Sequence, residues 1–341
     1  MELSESARKI LNDPSRIERR DRWFRRLGDV FDGVYTEEVP FISGILGCPA
    51  DGASVFASPE RWAAESLEDL AEKIERHDGE SRFYAPCVQL DLYGVHFVDS
   101  LFGARVYYNG ESRQWYNDFL KSEIGSLQYP DLSKCGVWET AEKSVRAFLE
   151  LNVRLPLFGL PTIASVLNIA VNLYGGNILE YMLVEPEKAN HDLSVINRLL
   201  VEIHTRFRSL LPESQLQPVI PWERVQPPGY GQICGCTTHL VGAGVYKDQV
   251  SALDDALLGA YPHGGMIHLC GSHSHLIPVF RSMQNLRAVQ VNDRAALDLE
   301  LYFNGLRGDQ VIYLMPCEQM TVGNAMDITG GKRLVIIDKL Y

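Results

Sequence analysis

From about Thr36 onward, short apolar runs alternate with longer stretches of helical period. VPFISGIL (Val39–Leu46) reads as a strand, and Ser58–His77 follows as an amphipathic helix with Ser58 as N-cap and Pro59 just inside it. Phe83–Gly103 reads as strand and loop, Glu139–Leu151 as helix, and Val153–Pro161 as a buried strand. The chain then reads as helix to Leu211, broken near Gly175 and Pro186. A strand follows over Gln217–Trp222 and a helix over Tyr246–Gly259. The last third is the most regular. Strands over Gly265–Gly271, Arg287–Asp293, Gln310–Cys317 and Gly330–Asp338 are separated by helical segments, among them Arg294–Leu306. Strands that recur with a helix between them predict a parallel sheet. A count of about eight favours one (β/α)8 TIM barrel over an open doubly wound sheet. The expected organisation is an N-terminal helical extension over residues 1–35 and a barrel over 36–341.

The chain has 341 residues, 46% of them hydrophobic and 22% charged, with a net charge of −12. This excludes a disordered or collagen-like chain. The acidic balance argues against a broad electrostatic grip on nucleic acid or anionic lipid. Arg16–Arg26 is locally basic, but its interspersed acids and aromatics read as a solvated helix face. The opening MELSESARKILNDPS places charges where a secretion signal needs an apolar core. Leu155–Leu179 is uncharged and long enough to span a bilayer, but Pro156, Pro161, Asn168 and Asn172 interrupt it, and it reads as a buried strand turning into a helix. Seven Cys at irregular spacing fit free or metal-bound thiols in a reducing compartment, so a cytoplasmic location is expected.

In a barrel the chemistry sits beyond the C-terminal ends of the strands. Those positions carry Cys234, Cys236 and His239, then His268, Cys270, His273 and His275, then Asp293, and finally Cys317-Glu318. Five of nine His and four of seven Cys lie after residue 233. His268-x-Cys270 on a strand puts both side chains on one face. Together with a third soft ligand they offer Zn²⁺ a catalytic site with one open position. Cys317 is the best third ligand by position; Cys234, Cys236 and His239 are the runners-up. The competing reading is that His-x-Cys is core filler. His273 and His275 are expected to cap the following helix. The chain lacks a Gly-x-x-x-x-Gly-Lys loop, a Gly-x-Ser-x-Gly elbow and a His-Glu-x-x-His pair.

The segments MIHLCGSHSHLIPVF and LRAVQVND, supported by LYGVHFVDSLFG and the stretch from Leu155 to Pro186, resemble the uroporphyrinogen decarboxylase superfamily of (β/α)8 barrels. Within it the similarity is nearest the zinc methyltransferases that serve corrinoid proteins. Decarboxylases of that family carry an Arg-Gln-Ala-Gly-Arg element after the first strand, whereas this region reads ISGILGCPADG, without an Arg. The resemblance implies Zn²⁺ held by His268, Cys270 and a distant Cys, for which Cys317 stands. In that branch the third ligand usually lies on the last strand, which here reads RLVIID and has no Cys. The implied reaction moves a methyl group between a small-molecule donor or thiol and a corrinoid on a separate partner protein. Asp293 and Glu318 are the candidate proton-transfer or imidazole-orienting residues, with helix N-capping as their alternative role. A homodimer is the base-rate expectation. Two other readings remain: a metal-free decarboxylase acting on a smaller carboxylated substrate, and a non-enzymatic barrel in a methyl-transfer complex.

Overall fold

Two capped helices open the chain. Ser4 accepts a hydrogen bond from the Ala7 amide at the start of α1 (Glu5–Leu11), and Asp13 accepts from the amides of Ser15 and Arg16 at the start of α2 (Pro14–Phe31). The computed structural model describes residues 2–36, 38–49, 54–79, 82–218 and 224–337. The basic stretch in α2 is not uniformly solvated, as its charge pattern had suggested. Arg20 is buried, and its guanidinium donates to the carbonyls of Arg154 and Leu155 at 2.7 and 2.9 Å while pairing with Asp21. Phe24, Leu27, Val30 and Phe31 on the same helix pack against residues from many strands, and the Phe31 ring lies 4.4 Å from Tyr230 and 6.2 Å from Tyr313.

The strands form two parallel sheets. One has the order β1 (Phe41–Ile42), β12 (Leu334–Ile337), β11 (Val311–Leu314), β10 (Leu286–Val291), β9 (Gly265–Leu269), β8 (Gly231–Cys234). The other runs β2 (Gly44–Gly47), β3 (Ala85–Gln89), β6 (Leu157–Gly159), β7 (Leu216–Gln217). A single residue, Ser43, separates β1 from β2, so one chain segment edges both sheets, and the Ala85 amide bonds the Ser43 carbonyl at 2.8 Å. Past β6, Ala164 bridges to Cys234 in parallel, with Ser165 N–H donating to the Cys234 carbonyl at 2.8 Å. Along β9 to β12 the side chains alternate. Met266, Ala288, Tyr313 and Val335 share one core with α2, and Ile267, Val289, Ile312 and Ile336 share the other with the helices.

Most expected elements are present, with shifts that have local causes. The helix after Ser58 is α3 (Pro59–Arg76), whose Trp62, Ala63, Leu67 and Leu70 are buried against β2, β3 and α5 (Gly136–Glu150). Each fully buried leucine there contributes roughly 1.5–3 kcal/mol. Leu155–Leu179 does turn from strand, β6, to helix, α6 (Val166–Tyr174). The Phe83–Gly103 region holds β3 and the short helix α4 (Phe97–Leu101), and beyond it lies an antiparallel hairpin, β4 (Val106–Asn109) with β5 (Gln114–Asn117), that the apolar pattern does not announce. The expected strand at Gln217–Trp222 is represented by β7; Val219–Trp222 lie outside the described residues. The helix read over Arg294–Leu306 is broken at Asp298 into Arg294–Leu297 and Leu299–Gly305. Among the described residues no helix is long and apolar enough to cross a membrane.

Candidate metal centre

Parallel strands put all their C-terminal ends on one side, and β8, β9, β10 and β11 are consecutive neighbours there. Their register places Cys234 beside His268 and His268 beside Gln290. Because neighbours in register point to the same face, strand pairing alone assembles three of the site's side chains. Gly235 follows Cys234, and its amide donates to the His268 carbonyl at 2.8 Å. A side chain at 235 would put a Cβ 2.5 Å from the Ile267 Cδ1 atom, so the Ile267 side chain would have to shift to admit one, and glycine lets it pack here undisturbed. Cys236 then opens a single 3-10 turn, Cys236–Leu240, held in place by Thr237 N–H donating to Asn168 Oδ1 of α6 at 3.1 Å.

The result is an unbroken run of soft donors. Cys234 Sγ lies 3.4 Å from Cys236 Sγ, Cys236 Sγ lies 3.0 Å from Cys270 Sγ, and Cys270 Sγ lies 2.9 Å from His268 Nε2. Ligand atoms of Cys234, Cys236 and His268 all lie within 4.8 Å of one another. His268 and Cys234 are buried; Cys236 and Cys270 are half-buried. Burial drives the His268 pKa down to about 3, with the Arg224 charge acting in the same direction, so the imidazole is neutral. Its Nδ1 bonds Gln290 Oε1, which leaves the Nε2 lone pair facing the thiols. Cys236 sits between two sulfurs and holds its proton, pushed up by its hydrogen bonds to Cys234 and Cys270. Those same bonds pull Cys270 down and bring Cys234 to about 7. Cys234, Cys236 and His268 are the group close enough to share one ion, with Cys270 adjoining Cys236 and His268, and thiols with an imidazole lone pair suit zinc in kind. Sulfurs at the corners of a zinc tetrahedron lie roughly 3.7–3.8 Å apart for bonds of about 2.3 Å. The separations of 3.4 and 3.0 Å are therefore somewhat tighter than a coordinated set.

The remaining residues singled out from sequence fall elsewhere. Cys317, the favoured third ligand, is outside this cluster: its thiol faces Gln319 Oε1 at 3.8 Å, beyond the end of β11. The runners-up Cys234 and Cys236 take the place beside His268. His239 turns its Nδ1 onto the Cys236 carbonyl at 2.6 Å. His273 does not cap a helix; its ring nitrogens face the carbonyls of Gly271 and Gly235 at 2.6 and 3.2 Å, tying the two cysteine-bearing loops together. His275 Nε2 lies 3.0 Å from the Val241 carbonyl. Asp293 is exposed and makes no side-chain cap, and it holds a positive φ of 48°, a strained state for a residue with a Cβ. Its charge opposes ionisation of Cys270. Glu318 is exposed, and Thr321, not Glu318, caps the helix that follows.

Chain comparisons agree with this architecture. Eleven solved chains match it, among them a methyltransferase from Methanosarcina mazei, with a TM-score of 0.63 at 10% identity over 92% of each chain. The two share a fold. No family model matches the sequence, and no curated protein matches it.

Three contributors to the neighbourhood went unseen in the sequence. Gln290 lies inside the strand Arg287–Asp293, where a lone amide two residues from Ala288 on the inward face is its one sequence signal. Arg224, buried and acting electrostatically on Cys234, His268 and Cys270, has no motif around it. Nor has the trio in which buried Asp99 bonds His96 Nδ1 at 2.7 Å and Asn172 Nδ2 at 2.9 Å. Asn172 lies one helical turn from Asn168, so α6 joins that trio to the cysteine loop.

Proposed function

We propose that residues 36–341 form a closed (β/α)8 barrel of the uroporphyrinogen decarboxylase superfamily behind the helical extension 1–35. In this reading the protein is a zinc-dependent methyltransferase that moves a methyl group between a small donor or thiol and a corrinoid carried by a separate protein. The observation that carries the reading is the imidazole–thiol cluster at the ends of two neighbouring strands. The shared chain segment at Ser43 and the Ala164–Cys234 bridge support closure, and the fold shared with a methyltransferase supports the chemistry. The free thiols favour a reducing compartment such as the cytoplasm.

His268 and Cys270 hold the ion, joined by sulfur from the Cys234–Cys236 loop. Bound there, zinc supplies Lewis acidity that lowers the pKa of a substrate thiol or polarises a donor heteroatom. Gln290 keeps the proton on His268 Nδ1 and so keeps Nε2 available as a ligand. Asp293, at the rim, accepts or returns the proton that a substrate exchanges; Glu318 is the second acid within the same set of strand-end loops. The partner docks over those loops.

The test is metal content of untagged protein purified without chelators, followed by methyl exchange with methylcobalamin read from its visible spectrum. About one zinc per chain is expected. His268→Ala and Cys270→Ser should each lose it and lower turnover at least about 100-fold, the scale of a catalytic metal's contribution. Reduced protein with no bound metal, or full metal retention in both variants, refutes the reading. Sedimentation of the same sample tests for a homodimer.

A further inference from the structure

A second group of titratable side chains stands away from the thiols, at the end of β3. We infer that His96, held by the buried carboxylate of Asp99, is a further general base of this protein, and that its Nε2 takes the proton of a protic methyl acceptor. The inference deepens the functional reading and rests on it; His96 differs from the rim acids Asp293 and Glu318 in being oriented by a buried charge.

The chain itself sets the position. The strands of both sheets run parallel and meet at Ser43 and at the Ala164–Cys234 bridge, so β3 ends on the side where the thiols lie. Beyond β3 the chain makes a 3-10 turn, Gly94–His96, that runs straight into α4. His96 and Asp99 are three residues apart across that junction, a spacing at which helical side chains meet. His96 Nδ1 lies 2.7 Å from Asp99 Oδ2, and Asn172 of α6 donates to the same oxygen at 2.9 Å. The hairpin closes the third side. Its Trp115 ring stands 5.0 Å from the Tyr93 ring, and Asn117 Nδ2 donates to the Asn172 carbonyl at 2.8 Å.

Three features set this pair apart from a structural contact. Asp99 is fully buried, whereas the His96 side chain keeps 13% of its exposure and makes its one hydrogen bond among the described residues through Nδ1. A carboxylate accepting from Nδ1–H fixes the proton there and leaves the Nε2 lone pair to act as a base. Asp99 Oδ1 is buried with no partner among the described residues, so tying the turn to α6 does not account for burying the whole group. Burial raises the Asp99 carboxyl, and the bonds from His96 and Asn172 oppose it. A proton gained by His96 sets a cation against a carboxylate that water does not reach. Other imidazoles lack this arrangement. Asp192, beside His191, is taken up by the amides of Gly125 and Leu127 at 2.9 and 3.1 Å, and His204 is fully buried against Tyr261. In the step proposed, the acceptor's bond to hydrogen breaks and its electron pair stays on the heteroatom, which bonds the methyl group. The methyl donor keeps the pair of the bond it gives up. The proton forms the N–H bond of an imidazolium and passes to water from the exposed edge, so no oxidant or reductant is needed.

Histidine-selective ¹⁵N NMR of the full-length protein reads the tautomer without turnover. The proton of His96 is expected on Nδ1 in the wild type and on Nε2 in Asp99→Asn, whose amide can donate to Nδ1. Methyl transfer from methylcobalamin to 2-mercaptoethanol, the probe acceptor, reads the chemistry. His96→Ala should lower kcat about 100-fold or more at unchanged KM and zinc content, and added imidazole should recover about tenfold of the loss. If His96→Ala does not fold, His96→Gln is read for the same loss; if Asp99→Asn does not fold, the wild-type tautomer and the His96 variants decide. A wild-type proton on Nε2, full turnover in the His96 variant, or loss of turnover that imidazole leaves untouched overturns the inference while the metal site stands. Wild-type protein that transfers no methyl group overturns the functional reading and this inference with it.

Discussion

At the residue scale, the side chain that sets the state of the imidazole lies outside the run of soft donors. Gln290 Oε1 accepts from His268 Nδ1 and so selects which ring nitrogen carries the proton. Without it the imidazole can place its proton on Nε2, the atom that faces the thiols. Groups of this kind typically contribute 10–100-fold in metal affinity. Gln290→Ala is expected to weaken zinc by about that factor in chelator competition, with the circular dichroism spectrum unchanged. Unaltered affinity would assign Gln290 to packing alone. The amide was hard to see in advance because a lone Gln in a strand carries no spacing signal; it becomes meaningful only when β9 lies beside it in register.

At the element scale, the site depends on how closely β8 and β9 approach. Their register starts at a glycine pair, Gly231 opposite Gly265. A Cβ on Gly265 would fall 2.3 Å from the Gly231 carbonyl oxygen and 2.9 Å from its Cα, both backbone atoms that have no room to give. Gly265→Ala should therefore cost roughly 1–3 kcal/mol through overpacking, seen as a lower urea midpoint. Because the two strands carry Cys234 and His268, the same change should also loosen zinc. Gly242→Ala is the control: nothing lies within 4 Å of a Cβ there, and its φ of −68° suits any residue. Near-equal midpoints for the two variants would show that the strand contact tolerates a methyl group.

At the scale of the whole molecule, buried titratable groups set the acid response. Burial lowers His204 and His268 to about 3 from the ordinary histidine value of 6.5. Below pH 6.5 the unfolded chain binds protons that these folded imidazoles refuse, so their contribution to stability is full above 6.5 and is lost as pH falls toward 3. Asp254 acts oppositely. Burial raises it to about 6 from 3.8, so the stability linked to it is present below 3.8 and lost as pH rises through 6. At about 1.4 kcal/mol per pKa unit, two imidazoles outweigh one carboxyl. The metal-free protein should lose stability between pH 6.5 and 5, and His204→Gln should flatten the slope. A urea midpoint that rises on acidification would reverse this account.

Periodicity sufficed for the parallel α/β pattern, because strands that alternate with helices have few ways to bury both faces. It also placed β6 and α6 in the uncharged run near Leu155, and it placed His268 and Cys270 at the end of a strand, but it read Cys234 and Cys236 as part of a loop after Gln217–Trp222 and missed β8, four residues in a Gly- and Pro-rich stretch. It had no means of finding the β4–β5 hairpin, whose strands leave Tyr107, Tyr108 and Tyr116 exposed and so lack an inward apolar face. Above all, it could not choose among Cys234, Cys236 and Cys317 as partners of His268. Residue types and chain order are local properties, and they fixed which chemistry was available. Which sulfurs meet depends on the lateral order of the strands, where β8 lies directly against β9 and β11 stands two strands away. That order is set by packing between segments far apart in the chain, and it brought Cys236 to His268 and Cys270 while leaving Cys317 with Gln319.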